Sequence, residues 1–368
     1  MTNTQTAPNV GNLTAELIET SDQLFAIRDQ IDAISKNPFL KSTWMIPWIE
    51  TFCDDQCRLN FLVFKNDDSK VIGFAPLVIQ NSLKRGRHFA FVGSGKCCAD
   101  YMTFPAAAGF ESQVASQSAK WLSENENLWD RIELDGVTTD DETMRLFTAS
   151  FEEIGNQVEA EEILPSFRMP LPGSWDEVLN SLSKNSRKKY RRQARNLEGK
   201  VQLHQATDES SLEEGMQILE RLHTARWESL GEGGCFASSG FGEFLNAMAK
   251  EKLAAGTLSL IWLTMDGEPI AADIGYHTGD GMFTYQGGIS PDHLDCEPGR
   301  AIIKAQIETA VERGASFMDF LRGDEPYKSR FNTERIENVR HVIVGRGTRA
   351  RMIQSLLTIG RALKSLID

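Results

Sequence analysis

A two-domain α/β protein in which one α/β unit occurs twice is what the sequence predicts, and three observations predict it. The 368 residues exceed the roughly 100 to 200 of a single domain. Strand patterns alternate with helical ones along the whole chain, as in mixed sheets flanked by helices. The halves also match in kind: the β-rich segment 61–79 returns as 258–278, about 199 residues on, and Ile132-Glu133-Leu134-Asp135-Gly136 returns as Met318-Asp319-Phe320-Leu321-Arg322-Gly323, about 187 on. Identity between the halves is slight, so two unrelated α/β domains are the alternative. The expected limits are 13–165 for the first domain, 166–345 for the second and 346–368 for a C-terminal helix.

Each element has its own signal. Residues 1–12 are polar and expected to be disordered. A helix over about 21–34 precedes a second, opened by Phe39 and carrying Trp44, Trp48 and Phe52. Phe61 to Gln80 reads as two strands about the polar turn Asn66-Asp67-Asp68, with further strands at 88–93 and 100–104, a helix at about 111–124 and a buried strand at 129–136. Thr139-Asp140-Asp141-Glu142 has the form of a capping box and should start the next helix. In the second half, Ser174-Trp175-Asp176-Glu177 opens a helix that runs into the basic stretch 184–195, and Ser211-Leu212-Glu213-Glu214 opens one through Trp227. Residues 258–290 read as three strands with turns at Asp266-Gly267 and Gly279-Asp280-Gly281. Pro298-Gly299 begins a helix with Ile303, Ile307, Ala310 and Val311 on its apolar side, which Gly314 ends; the strand Phe317 to Leu321 then runs to Arg322-Gly323.

Composition excludes several classes. With 41% hydrophobic and 25% charged residues the chain resembles an ordinary globular protein. No apolar run nears the roughly 18 residues of a membrane span, and the start has no signal-peptide pattern, so a cytoplasmic protein is expected. Cys53, Cys57, Cys97, Cys98, Cys235 and Cys296 form no CxxC or Cys/His zinc pattern, so no metal is expected. Nor does a Ser/His/Asp order or a reactive-cysteine context point to a covalent route. Residues 1–165 carry 25 acids and 13 bases, whereas 166–368 carry 27 and 26. An anionic ligand therefore belongs to the second half.

The densest chemical signal is 285–331. A strand followed by a Pro-Gly helix start offers free backbone N–H groups and the positive end of a helix dipole, to which Arg300 adds a cation. A plain helix N-terminus is the alternative. Arg322-Gly323-Asp324-Glu325-Pro326-Tyr327-Lys328 places charges and a phenol just after a buried strand, where α/β proteins hold ligands. Asp319 lies within that strand, either as a functional group or as a salt-bridge partner of Arg322.

Pro298-Gly299, the run Asp319 to Lys328, the basic helix Lys184-Asn185-Ser186-Arg187-Lys188-Lys189, and Leu222-His223 with Arg226-Trp227 resemble the GCN5-related N-acetyltransferases (GNAT). Within them the chain is similar to the cellulose-biosynthesis-type acetyltransferases, relatives of the Fem-type aminoacyltransferases. The likeness covers about 170–335 well and the first half more loosely, through Trp44, the 61–80 hairpin and Asp100-Tyr101. It implies a tandem acyl-CoA N-acyltransferase (GNAT) fold whose second copy is active and whose first is not catalytic. Acetyl-CoA or another acyl-CoA is the implied co-substrate, lodged between Met282 to Ile289 and the strand at 316–321, with its pyrophosphate at Pro298, Gly299, Arg300 and Ala301. Backbone of Gln286, Gly287 and Gly288 would hold the thioester, an amine or hydroxyl would attack it directly, and Tyr327 would protonate the leaving thiolate. Only the end of the family's pyrophosphate loop is kept, since Cys296 stands where Arg or Gln is usual.

For the proton taken from the acceptor, a carboxylate of raised pKa near the strand exit suits, either Asp319 or Glu325. Arg322, Lys328, Arg187, Lys188, His223 and Arg226 are the expected contacts to a sugar, nucleotide-sugar, polysaccharide or cell-envelope acceptor. The basic run 184–195, with Leu179, Leu182, Tyr190 and Leu197 as its buried side, is either a solvated face or an anion cradle. The tail 346–368 reads as an amphipathic helix that docks on its own domain or a second subunit, or else lies on anionic lipid at the inner membrane. Nucleic acid is not the expected partner, although aminoacyl transfer from tRNA and a non-catalytic scaffold of polysaccharide synthesis are the alternatives.

Overall fold

The computed structural model describes residues 13–364, with side chains to residue 360. Residues 1–12, expected to be disordered, and the last four of the tail lie outside them. The chain forms two compact units, one of the residues up to Ile163 together with those from Asn338 on, the other of Leu164–Glu337. In the first unit come β1 Thr14–Ile18, α1 Ser21–Ala26, α2 Arg28–Ile34, α3 Ser42–Phe52, β2 Cys57–Leu59, β3 Phe61–Lys65, β4 Val71–Ala75, β5 Leu77–Ser82, β6 Gly86–Phe91, α4 Glu111–Glu124, β7 Arg131–Thr138 and α5 Glu142–Glu153. β8, Gln157–Pro170, leads into the second unit. There follow α6 Trp175–Ser181, α7 Lys184–Leu197, β9 Val201–Gln205, α8 Glu209–Glu228, α9 Phe241–Ala254, β10 Leu258–Met265, β11 Glu268–Thr278, β12 Gly281–Ile289, α10 Pro298–Glu312 and β13 Phe317–Arg322. The chain returns to the first unit through β14 Glu334–Val344 and α11 Thr348–Lys364.

The first unit has a sheet of order β1-β3-β4 and the strand order β2-β5-β6-β7-β14. The second has the order β8-β13-β12-β11-β10-β9. Its parallel pair is β12 with β13, embedded among antiparallel pairs. α8 packs on β10, β11 and β12, and so does α10. They take opposite faces: a Cβ on Gly288 would strike the α8 backbone at Leu222 and His223, whereas one on Gly287 would meet Asp273, which is bonded to Gln306 of α10.

Several expected boundaries move for local reasons. The 61–80 hairpin closes as β3 with β4, but Leu77 onward leaves it to pair with β2 and β6. Residues 100–104 form no strand and run as a connection. Asp141, not Thr139, caps α5, accepting from the Met144 N–H at 2.8 Å. The helix expected to run from 174 into 184–195 is two: Leu182 is extended, and Ser183 caps α7 by accepting from the Ser186 N–H. Asp208 with Ser211 forms the capping box of α8, three residues earlier than the Ser211 start. In the first unit α11 seats Ala350 and Gln354 inward, Gln354 bonding to Arg131 and Glu159, and leaves Met352, Leu356 and Ile359 exposed. Among the described residues no helix is long and apolar enough to cross a membrane.

Candidate functional site

β12 and β13 pair over three steps, Gly281 with Phe317, Met282 with Met318 and Phe283 with Asp319. Beyond that step they part. Two irregularities cause the divergence. On β12, Ile274 faces Gln286 while Gly275 faces Thr284, so Tyr285 is an extra residue that bends the strand. On β13, Leu321 takes a φ of 57°, a left-handed conformation unfavourable for a side chain with a Cβ, and the register against β8 slips between Asp319 and Arg322. The β12 side of the opening goes from buried Met282 and Phe283 to half-buried Thr284, Tyr285 and Gln286 and exposed Gly287. Among the described residues the ladder with β13 ends at Phe283, and Thr284 to Gly287 are partly accessible.

What holds the β13 turn is the charged run after it. Lys328 is 2% exposed, and its ammonium donates to Leu321 O at 3.1 Å and Arg322 O at 3.0 Å while pairing with Glu325 at 2.8 Å. Gly323 is required beneath this clamp, since a Cβ there would meet both the Glu325 carboxylate and the Lys328 ammonium. Lys328, expected to touch an acceptor, is therefore spent on main-chain carbonyls. Asp319 is wholly buried; it accepts from Arg168 Nε at 2.9 Å, its direct cross-strand neighbour, and from the Leu321 N–H at 2.9 Å. Arg168 is a salt-bridge partner of Asp319 that lies on the neighbouring strand. The bonds from Arg168 and Leu321 engage both carboxylate oxygens of Asp319.

A carboxyl group that sequence reasoning passed over lies at the opening itself. Asp273 on β11 faces Gly287, whose Cβ would come within 3.0 Å of Asp273 Oδ2, and accepts from Gln306 Nε2 at 2.7 Å. Burial pushes its pKa up to about 8, tempered by the Gln306 hydrogen bond. Tyr327 packs its ring edge-on against Phe320, centroids 5.8 Å apart. Its hydroxyl is held well above the usual phenol range by burial first, then by the charges of Glu325 and Asp273. The signal for Asp273 was an acid inside the apolar strand run Ile270 to Tyr276, read only as strand.

The start of α10 carries Glu297 in a left-handed conformation, φ 55°, just before Pro298. Its carboxylate lies 3.3 Å from Arg300 Nε and 3.5 Å from Arg192 of α7. Gln193 ties α7 to this turn, donating to Cys296 O at 3.3 Å and Glu297 O at 2.5 Å. Gly299 is open, with Ile289 its nearest neighbour at 3.8 Å. Arg187 is not free for a ligand: it caps α6 by donating to Asn180 O and Leu182 O. Lys188 is exposed, and Arg226 is half-buried at the end of α8. Gly288 is small because α8 crosses it, not because a ligand does.

His223 is 2% exposed at that crossing, and its Nε2 lies 3.3 Å from Cys235 Sγ in the loop between α8 and α9. The two stand twelve positions apart, with no local pattern to join them.

Residues 184–329 match the model of an acetyltransferase (GNAT) domain. No curated protein matches the chain significantly. Among solved structures, FemX is similar at 14% identity and a TM-score of 0.62, over 89% of this chain and 96% of FemX. A conserved protein of unknown function from Bacteroides thetaiotaomicron is similar at 13% identity and a TM-score of 0.55, over 89% and 100%. The C-terminal domain of a protein assigned as a lysylphosphatidylglycerol synthetase from Agrobacterium fabrum follows at 10% and 0.54, over 92% and 97%. The fold is thus shared across nearly the whole chain, and the second unit carries a GNAT-type acetyltransferase domain, whose class of chemistry is acyl transfer, in general from acyl-CoA.

Proposed function

We propose that the chain moves an acetyl or other acyl group from an acyl-CoA lodged between β12 and β13 to an amine or hydroxyl of a sugar, polysaccharide or cell-envelope precursor. The observation that supports this most is a carboxyl group of near-neutral pKa, Asp273, beside the only parallel strand pair of the second unit's described residues, where that pair opens. Asp273 replaces Asp319 and Glu325 as the base, because Asp319 is committed to Arg168 and Glu325 to Lys328. Tyr327 keeps its proton at neutral pH and is the group that returns one to the leaving thiolate. The β12 backbone at Gln286 and Gly287, beyond the steps that pair with β13, positions the acyl carbonyl. Arg300 and Arg192 at the start of α10 meet the pyrophosphate, which has to draw both away from Glu297.

Titration calorimetry with acetyl-CoA on the wild type and on Gly299→Trp tests the donor. Micromolar binding that the variant loses is expected; absence of binding by every acyl-CoA would sink the proposal. A second reading, aminoacyl transfer from tRNA, is favoured by one arrangement: Glu297 already sits at the α10 start while Lys184, Lys188, Lys189 and Arg191 of α7 stand exposed. Salt-sensitive RNA binding that charge reversal at Lys188 and Lys189 abolishes, with no acyl-CoA binding, is the result that selects it.

A further inference from the structure

The pair made by His223 and Cys235 is outside everything assigned so far. Cys235 is half-buried in the loop between α8 and α9, with Sγ 3.3 Å from His223 Nε2. Its neighbour Gly234 has a φ of 64°, and a Cβ there would come within 2.6 Å of the His223 ring and 2.8 Å of Trp227, so only glycine lets the loop bring the thiol down onto the imidazole. Phe236 and Trp227 flank the ring, at centroid distances of 5.0 and 5.9 Å. The second ring nitrogen, Nδ1, is buried with no hydrogen-bond partner among the described residues. Buried polar groups are usually hydrogen-bonded, so one without a partner calls for an explanation. Finally, the His223 backbone nitrogen touches β12 at Gly288, in the stretch beyond the steps that pair with β13. A thiol and a base therefore stand together on the α8 face of the strand that lines the opening.

We propose that Cys235, with His223 as its base, is a nucleophile that carries the acyl group in transit. Resting on the acyl-CoA donor proposed above, the single displacement expected from the family resemblance becomes two. In the first, the Cys235 proton passes to His223 Nε2 and Sγ attacks the thioester carbonyl. The bond from carbonyl carbon to CoA sulfur breaks, the CoA thiolate takes the proton back from His223 Nε2, and Cys235 is left as an S-acyl thioester. In the second, the acceptor amine or hydroxyl attacks that carbonyl, its proton goes to His223 Nε2, and the Cys235 thiolate leaves and takes that proton back from His223. Burial holds the His223 pKa down to about 4, so its imidazole is neutral at pH 7 and takes the thiol proton only as Sγ attacks. No oxidant, metal or further co-reactant enters the balance.

The full chain is incubated with acetyl-CoA without acceptor, quenched in acid and mapped by peptide mass spectrometry. The expected result is one acetyl group on the peptide that contains Cys235, removed by neutral hydroxylamine and absent from Cys235→Ala. Acetyl transfer or hydrolysis by the wild type with no label at Cys235, together with a wild-type rate in Cys235→Ala, overturns the carrier and leaves the acyl-CoA reading standing. If acetyl-CoA is neither bound nor cleaved, that reading has failed, and the pair is judged by alkylation with iodoacetamide. Cys235 should then react about 10-fold faster than the more exposed Cys98 and lose that advantage in His223→Gln. A rate no higher than that of Cys98 overturns the pair itself.

Discussion

Each unit contains a parallel strand pair that parts after a few steps, and what lies beyond the parting differs. In the second unit, β12 leaves β13 after Phe283 and becomes accessible from Thr284 to Gly287. In the first, β6 pairs with β7 only through His88 with Arg131 and Phe89 with Ile132, yet Ala90, Phe91 and Val92 stay buried. The connection that follows fills the space: Met102 donates its N–H to Gly136 O at 2.9 Å, and Phe104 wedges edge-on between Phe91 and Phe147. The acid that follows on β7, Asp135, pairs with Arg340. One unit thus has its opening plugged by its own aromatic residues, and the other has a carboxyl group and a phenol beside an open one. The difference teaches that two units can share a parting strand pair while the segment after it fills the opening in one and leaves it accessible in the other.

Four substitutions would break or sharpen that contrast. Asp273→Asn should cost about 10²- to 10³-fold in kcat, because the base is gone while packing against Gln306 is kept. Wild-type kcat should climb with pH through about 8 as Asp273 ionises, and the variant should lose that climb. A rise of equal size in the variant would remove Asp273 from the site. Phe104→Ala in the plugged unit should destabilise by about 3–5 kcal/mol in denaturant titration and leave kcat per folded molecule unchanged. Acyl transfer lost along with the wedge would show that the first unit takes part in the reaction.

Tyr327→Phe should lower kcat about 10- to 100-fold with KM nearly constant, since the ring contact with Phe320 survives and only the hydroxyl goes. Glu297→Gln is the smallest change: with the chain's own anion neutralised, acetyl-CoA should bind about 3- to 10-fold tighter, an effect that shrinks with added salt. Asp273 leaves a mark on stability as well. Its folded pKa lies above that of the unfolded chain, so the contribution is fully present below about pH 4 and is lost as pH rises to about 8. Thermal unfolding of Asp273→Asn should therefore fall less between pH 5 and pH 9 than that of the wild type, by on the order of a few degrees.

Much of the architecture could be read from residue patterns. Turn chemistry at Asp266-Gly267 and Gly279-Asp280-Gly281 marked β10 to β12, and Pro298 and Gly314 bracketed α10, because these depend on neighbours in sequence. Missed elements have weak local signals: β8 is built from mixed charged and apolar residues, and β9 is half exposed. The site was legible in its location but not in its roles. That Asp319 would be claimed by Arg168 follows from a cross-strand register, and that Lys328 would fold back onto Leu321 O from a tertiary turn. Asp273 looked like one acid in a strand until Gly287 and Gln306 were seen beside it. Tyr327 was visible as a phenol just past a strand, while Cys235 and His223 meet only because a loop bends at Gly234.

The chain order has a consequence for biosynthesis. The first unit is interrupted: it begins before Ile163 and is completed only by residues from Asn338 on, after the whole of Leu164–Glu337. β14 pairs with β7 from Asn338 to Val344, so while the ribosome is still producing the second unit, the β7 edge has no partner on that side. Nascent chains emerge at roughly 5–20 residues per second, which leaves that edge open for about ten to forty seconds. An open edge is where chains pair wrongly. The second unit, contiguous in sequence, is able to finish first, and the unit that matches the acetyltransferase domain would then be folded before the interrupted one.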